Sequence, residues 1–87
     1  MYRIPDHITW KTLGQGVVLL DLNTSRYYTL NETASLIWQG IMEQKNEDQI
    51  TEFILDSYNC QKDQCRADVI KQIDYLLSEG LVSKEVD

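Results

Sequence analysis

The chain has 87 residues, enough for one small hydrophobic core and too few for a second catalytic lobe. With 43% hydrophobic and 25% charged residues it has the composition of an ordinary soluble globular domain, which excludes the disordered and fibrous classes. Its 14 acidic residues against 8 basic ones leave a formal charge of −6, which works against a polyanionic partner, because nucleic-acid affinity is mostly phosphate neutralisation by Lys and Arg. No stretch approaches the roughly 18 apolar residues of a membrane span. The start, Met1-Tyr2-Arg3-Ile4-Pro5-Asp6-His7, lacks the apolar region of a signal peptide. Neither nucleic acid nor a membrane is therefore an expected partner, and the cytoplasm is the expected location.

In chain order, Ile8 to Leu13 alternates imperfectly between apolar and polar residues, with Ile8 and Trp10 on one side of a strand. Gly14-Gln15-Gly16 breaks it. The run Val17-Val18-Leu19-Leu20-Asp21-Leu22 is continuously apolar up to Asp21, which suits a central strand covered on both faces. Asp21-Leu22-Asn23-Thr24-Ser25 carries turn residues, and Arg26-Tyr27-Tyr28-Thr29-Leu30 follows as a third strand, its aromatic and β-branched residues fitting a pleated, half-buried surface. Short connections predict a meander with the third strand at an edge.

Asn31 then stands where a helix N-cap is expected, ahead of Ala34, Ile37, Trp38, Ile41 and Met42 at helical spacing, which predicts a helix from Glu32 to about Gln44. Asn46 with Gln49 three residues on makes a capping-box pattern for a second helix that buries Ile50, Phe53, Ile54 and Tyr58. A loop over Asn59 to Lys62 leads to Asp63, a candidate cap for a third helix. At 100° per residue Val69, Ile70, Ile73, Leu76 and Leu77 share one arc, and Cys65, Asp68, Gln72, Tyr75 and Glu79 lie along one flank. Gly80 is placed for a left-handed C-cap with Leu81 folding back onto the last turn. Residues Ser83 to Asp87 read as a frayed tail. The expected architecture is α+β and winged helix-turn-helix-like, a three-stranded antiparallel sheet followed by three helices in a single domain over 1–87.

Side-chain catalysis needs a base or nucleophile held by a partner, and the residues for it are sparse. His7 is the only histidine and reads as a solvated turn residue. The acids Glu43, Glu47, Asp48, Glu52, Asp56, Asp68, Asp74 and Glu79 are spread over helix surfaces as solvated faces. Cys60 and Cys65 are spaced C-x4-C without the further ligands a structural zinc site wants; the spacing permits a disulfide sterically, but in a reducing compartment two ordinary thiols are the preferred reading. No nucleotide, nucleophile-elbow or redox motif is present. No catalytic residue, metal or cofactor is expected.

Tyr27 and Tyr28 are adjacent, so on a strand one points to the core and the other away. The outward one offers a flat, low-entropy contact. Arg26 is a candidate partner for an acidic group, either of a partner or, as the preferred reading, of this chain's own surplus of carboxylates.

The segment Leu19 to Trp38, L-L-D-L-N-T-S-R-Y-Y-T-L-N-E-T-A-S-L-I-W, resembles the signature of PqqD-like proteins: an apolar run, Asp, a short turn, R-Y-Y, then L-N and a small-residue helix start. The likeness continues through Ile50, Phe53, Ile54 and Tyr58 to Asp68-Val69 and the closing Leu76-Leu77-Ser78-Glu79-Gly80-Leu81-Val82. Ser25 departs from the pattern, since the family commonly has Gly before the Arg, where positive φ comes at little cost. The resemblance implies a winged-helix-like recognition element for ribosomally made precursor peptides, whose leader segment adds as a strand to the edge of the third strand against the third helix. It is most similar to the stand-alone recognition proteins of lasso-peptide pathways, which deliver the leader to a separate leader peptidase or other modifying enzyme in trans. A peptide carrier for a radical enzyme is the alternative within the class. The expected peptide-binding residues are Ser25, Arg26, Tyr27, Tyr28, Thr29 and Leu30 on the strand, and Val69, Gln72, Ile73, Tyr75 and Leu76 on the helix. A DNA-binding winged-helix regulator is the rival from another class. It asks for a basic recognition helix, yet Cys65 to Glu79 sets Arg66 and Lys71 against Asp68, Asp74 and Glu79.

Overall fold

The computed structural model describes residues 2–85, and its sheet is laid out by a two-residue hairpin at Gly14-Gln15. Gly14 has φ +62, the positive value that a turn of the II′ kind requires at its first central position. The turn joins β2 (Ile8–Leu13) to β3 (Gly16–Asp21), and β4 (Arg26–Leu30) completes an antiparallel sheet of order β2-β3-β4. A further strand, β1 (Tyr2–Arg3), precedes these. Three helices follow, α1 (Glu32–Met42), α2 (Glu47–Ser57) and α3 (Lys62–Ser78), and then β5 (Ser83–Lys84). The α+β class and the strand-then-helix order match the sequence reading.

Several details differ from it. The central strand starts one residue earlier than expected and leaves Leu22 exposed outside it. Only one of its faces is deeply buried, through Val17, Leu19 and Asp21. Val18 and Leu20 on the other face are half-buried, beside Lys11 and Thr29, and Thr9 and Tyr27, their cross-strand neighbours. Helix α1 stops at Met42 because Gln44 takes φ +64. The amide of Lys45 then donates to the Gly40 carbonyl at 3.0 Å and that of Gln44 to Ile41 at 3.1 Å, a Schellman end built on a residue other than glycine. Asp63 is not the cap of α3: Gln61 is, without a side-chain hydrogen bond, and Asp63 lies in the first turn.

The expected fraying from Ser83 is also corrected. Gly80 (φ +72) turns the chain, the amides of Leu81 and Val82 donate to the Leu76 carbonyl, and both side chains are buried. That return places Ser83–Lys84 against Tyr2–Arg3 as an antiparallel pair, which Tyr2 anchors by donating to Glu47 at 2.6 Å. The last two residues of the predicted tail, 86 and 87, lie outside the described residues.

The core sits between the inner face of the sheet and the helices, around Leu19, Ile37, Trp38, Ile41, Ile50, Ile73 and Leu76. Trp10 packs edge-on against Trp38 with ring centroids 5.6 Å apart.

Candidate peptide-binding edge

The backbone register decides which amides of β4 are free. Leu22 donates to the His7 carbonyl at 2.8 Å, in line with the Ile8↔Asp21 to Leu13↔Gly16 pairing. In an antiparallel ladder mutually bonded and unbonded pairs alternate. Thr9, Lys11 and Leu13 therefore face β3, whose Val17, Leu19 and Asp21 turn their backbone groups to β4. The partners there are Leu30, Tyr28 and Arg26. By elimination the N–H and C=O groups of Tyr27 and Thr29 point away from the sheet, along an edge that pairs with no strand among the described residues.

Side chains alternate at right angles to this. Tyr28 is half-buried against the core and Leu30 is buried, while Tyr27 is 70% exposed. The two tyrosines thus divide between core and surface as the sequence suggested. Arg26 is exposed and makes no ion pair among the described residues; its guanidinium lies 5.9 Å from the centroid of the Tyr28 ring. The preferred pairing of Arg26 with a carboxylate of its own chain is absent from that set.

Both ends of the edge are fixed. At its start the Asp21 carboxylate accepts from the amides of Asn23 at 2.9 Å and Thr24 at 3.3 Å, and the Ser25 amide donates to the Asp21 carbonyl at 2.7 Å. Ser25 takes φ +61, the left-handed region in which a glycine carries no steric cost. At its end Leu30 is held by the Ser35 hydroxyl, which donates to its carbonyl at 3.2 Å, and the Asn31 side chain accepts from the Ala34 amide at 2.8 Å. The predicted N-cap is present, and it turns the chain into α1.

The helix residues expected to face a peptide divide sharply. Val69, Ile73 and Leu76 are core residues, at most 1% exposed. Gln72 is half-buried and Tyr75 is 44% exposed, so these two give α3 a surface there. The structure does not gather all five on an open wall. The sequence reading missed a cavity of about 180 Å³ where the starts of α1 and α3 meet the end of α2. Thr33, Ile37, Ile54, Tyr58 and Val69 line it, with Cys60, Gln64, Cys65 and Asp68 on the α3 side. The Tyr58 hydroxyl is buried without a hydrogen-bond partner, and the nearby Glu32 carboxylate raises its pKa. Helical spacing marked Ile37, Ile54 and Val69 as core; that they leave a gap between three helices is a property of packing that periodicity does not carry.

Among the described residues no group of three or more His, Cys, Asp or Glu is placed to hold a metal ion, and no helix is long and apolar enough to cross a membrane.

A model of the family described as Coenzyme PQQ synthesis protein D (PqqD) matches residues 16–82. No curated protein sequence matches the chain. Among solved structures it is similar to TbiB1 in complex with the TbiA(beta) leader peptide, at 26% identity and TM-score 0.89, over 98% of this chain and 99% of that one. It is similar in fold to a lasso peptide synthetase B1 complexed with the leader peptide, at 24% identity and TM-score 0.88, over 95% and 98% of the two chains.

Proposed function

Since the chain belongs to the PqqD family, we propose that it binds the leader segment of a ribosomally made precursor peptide as an added strand on β4 and presents it, in lasso-peptide biosynthesis, to a separate leader-cleaving or modifying enzyme. The chain itself performs no chemistry in this reading. The observation that carries it is the free β4 edge with the Tyr27 and Thr29 backbone groups turned outward. The two similar structures, both described as leader-peptide complexes, support the same class of partner.

The sheet has a second edge, β2, but Lys11 stands within it, the kind of charge that discourages strand addition. On β4 the only charge is Arg26, at the end. A peptide pairing with both outward residues forms up to four backbone hydrogen bonds, worth roughly 2–6 kcal/mol in total at about 0.5–1.5 kcal/mol each. A disordered leader loses about 2–5 kcal/mol or more on ordering. Backbone pairing therefore sets register, and apolar side chains supply affinity. Tyr27 and Tyr75 are exposed aromatic contacts for them, Gln72 is a polar one, and the cavity beside Thr33 and Val69 takes one apolar leader side chain.

The DNA-binding rival loses ground on α3. Lys62 pairs with Glu52 at 2.9 Å and Arg66 with Asp48 at 2.9 Å, both on α2, so two of its three cations are already matched by this chain's own acids.

The test is titration of a fluorescently labelled leader of its candidate precursor peptide, with backbone amide shifts mapped in parallel. Binding with shifts concentrated on Tyr27 to Thr33 and on α3 is expected. Shifts confined to β2, or no binding by a folded protein, would overturn the proposal.

A further inference from the structure

The starting point is the entry into α3. With Gln61 as N-cap, Cys60 is the residue before the cap and Cys65 the fourth residue of the helix. Those are the two positions whose side chains pack together in a hydrophobic staple. Both line the same cavity, Cys60 exposed at its solvent end and Cys65 buried inside. The Cys65 thiol lies 3.9 Å from the Thr51 carbonyl, to which it donates. Burial, with Cys60 as the next cause, pushes its pKa up to about 11. A buried thiol of that kind is a poor first target for an oxidant and stays reduced beside one that solvent reaches.

We propose that Cys60 and Cys65 form a redox-modification site, at which a hydroperoxide converts two thiols into a disulfide that closes the cavity between α1, α2 and α3. In the first step the Cys60 sulfur attacks one peroxide oxygen, the O–O bond breaks, and Cys60 becomes a sulfenic acid with release of water or the corresponding alcohol. In the second the Cys65 sulfur attacks the Cys60 sulfur, the S–O bond breaks, and the Cys65 proton leaves with the hydroxide as water. The thiols are oxidised by two electrons and the peroxide is reduced by two. Cys65 is the resolving thiol, and its burial shields it from over-oxidation. The new bond draws Cys60 onto the first turn of α3, which has no side-chain cap of its own, and takes up room at the mouth of the cavity. The effect on leader binding rests on the function proposed above; the thiol chemistry does not.

The experiment exposes the whole protein to hydrogen peroxide, then counts free thiols by alkylation and maps cross-linked peptides by mass spectrometry. Loss of both thiols, two hydrogens of mass and a Cys60–Cys65 link reversed by dithiothreitol are expected. In the Cys65→Ser variant Cys60 should instead stop at sulfenic acid or pair between molecules, and in Cys60→Ser the remaining thiol should react slowly. Oxygen addition at Cys60 in the parent protein without the internal link would overturn the site. The labelled leader is then titrated against reduced and oxidised protein. Affinity should fall roughly tenfold or more on oxidation, the loss of one buried apolar side chain, and recover on reduction, while Cys60→Ser binds alike in both. Equal affinity in the two states of the parent protein would refute cavity closure. A reduced protein that binds no leader removes the function proposed above and leaves the thiol result standing.

Discussion

Proline at Thr29 separates the edge from the fold. The Thr29 amide points outward by register, so the substitution removes a donor to the peptide and no bond of the β3–β4 ladder, and proline is tolerated on edge strands for that reason. The peptide loses one hydrogen bond, about 0.5–1.5 kcal/mol, and leaves a carbonyl partly unsatisfied against the protein. A combined cost of about 1–2 kcal/mol corresponds to a roughly 5- to 30-fold rise in Kd. Tyr28→Pro is the contrasting variant. Its amide faces Leu19, and its ring packs on the core and under Arg26, so it should lower the melting temperature sharply. Thr29→Val keeps both the amide and the β-branch and should bind as the parent does. Fluorescence anisotropy gives Kd, and a circular-dichroism melt shows which variants remain folded. A folded Thr29→Pro protein with parental affinity would refute strand addition at β4.

Three further outcomes follow from the packing. Ser25→Gly should stabilise the protein by about 0.5–1 kcal/mol in urea unfolding, because the left-handed cost of roughly 1–2 kcal/mol per residue is relieved and glycine's entropic cost of about 0.5–1 kcal/mol is incurred. Gly40→Ala should destabilise it by about 1–3 kcal/mol, since an added Cβ would stand 2.7 Å from Cγ1 of the fully buried Ile50 where α1 meets α2; an unchanged urea midpoint would contradict that packing. For pH, burial raises the Cys65 pKa from 9.0 to about 11, so its thiol is harder to ionise in the folded protein than in the unfolded one. That contribution to stability is complete below about pH 9 and is lost as pH rises towards 11. Unfolding free energies should decline across that window, and less so in Cys65→Ala, where only other groups such as the buried Tyr2 remain to titrate upward.

Local chemistry was the most legible part of the sequence. Asn31, the Asn46–Gln49 capping box and Gly80 each act through a hydrogen bond or a φ angle set within a few residues, and each is found where expected. The β1–β5 pair was not legible, because two-residue strands have no periodicity and their pairing depends on partners some eighty residues apart in the chain. The end of α1 was hidden for a different reason: Gln44 supplies a left-handed angle usually left to Gly or Asn. On α3 the error was one of depth. Helical phase places Val69, Ile73 and Leu76 on one side, but a 17-residue helix packed on both α1 and α2 buries that side, with Val69 reaching only the cavity between the three helices and Gln72 and Tyr75 at its more open margin.

The residues proposed for the edge therefore divide by what they do. Tyr27 and Thr29 carry the free backbone groups, and Tyr27 adds an exposed ring. Arg26, Tyr28 and Leu30 turn their backbones inward, so their part is to hold β4 on β3 and, for Arg26, to offer at one end a charge that lies over the Tyr28 ring and makes no ion pair among the described residues. Ser25 touches neither face: its left-handed turn brings Arg26 opposite Asp21, and every pairing up to Leu30 follows from that one. Shifting the register by one residue would exchange the inward and outward sets, burying Tyr27 and exposing Tyr28 and Leu30. The four-residue turn before β4 thus governs which amides a peptide can meet, although none of its own residues need touch the peptide, and Asn31 at the other end turns the chain into α1 so that no element of the described chain pairs with the edge.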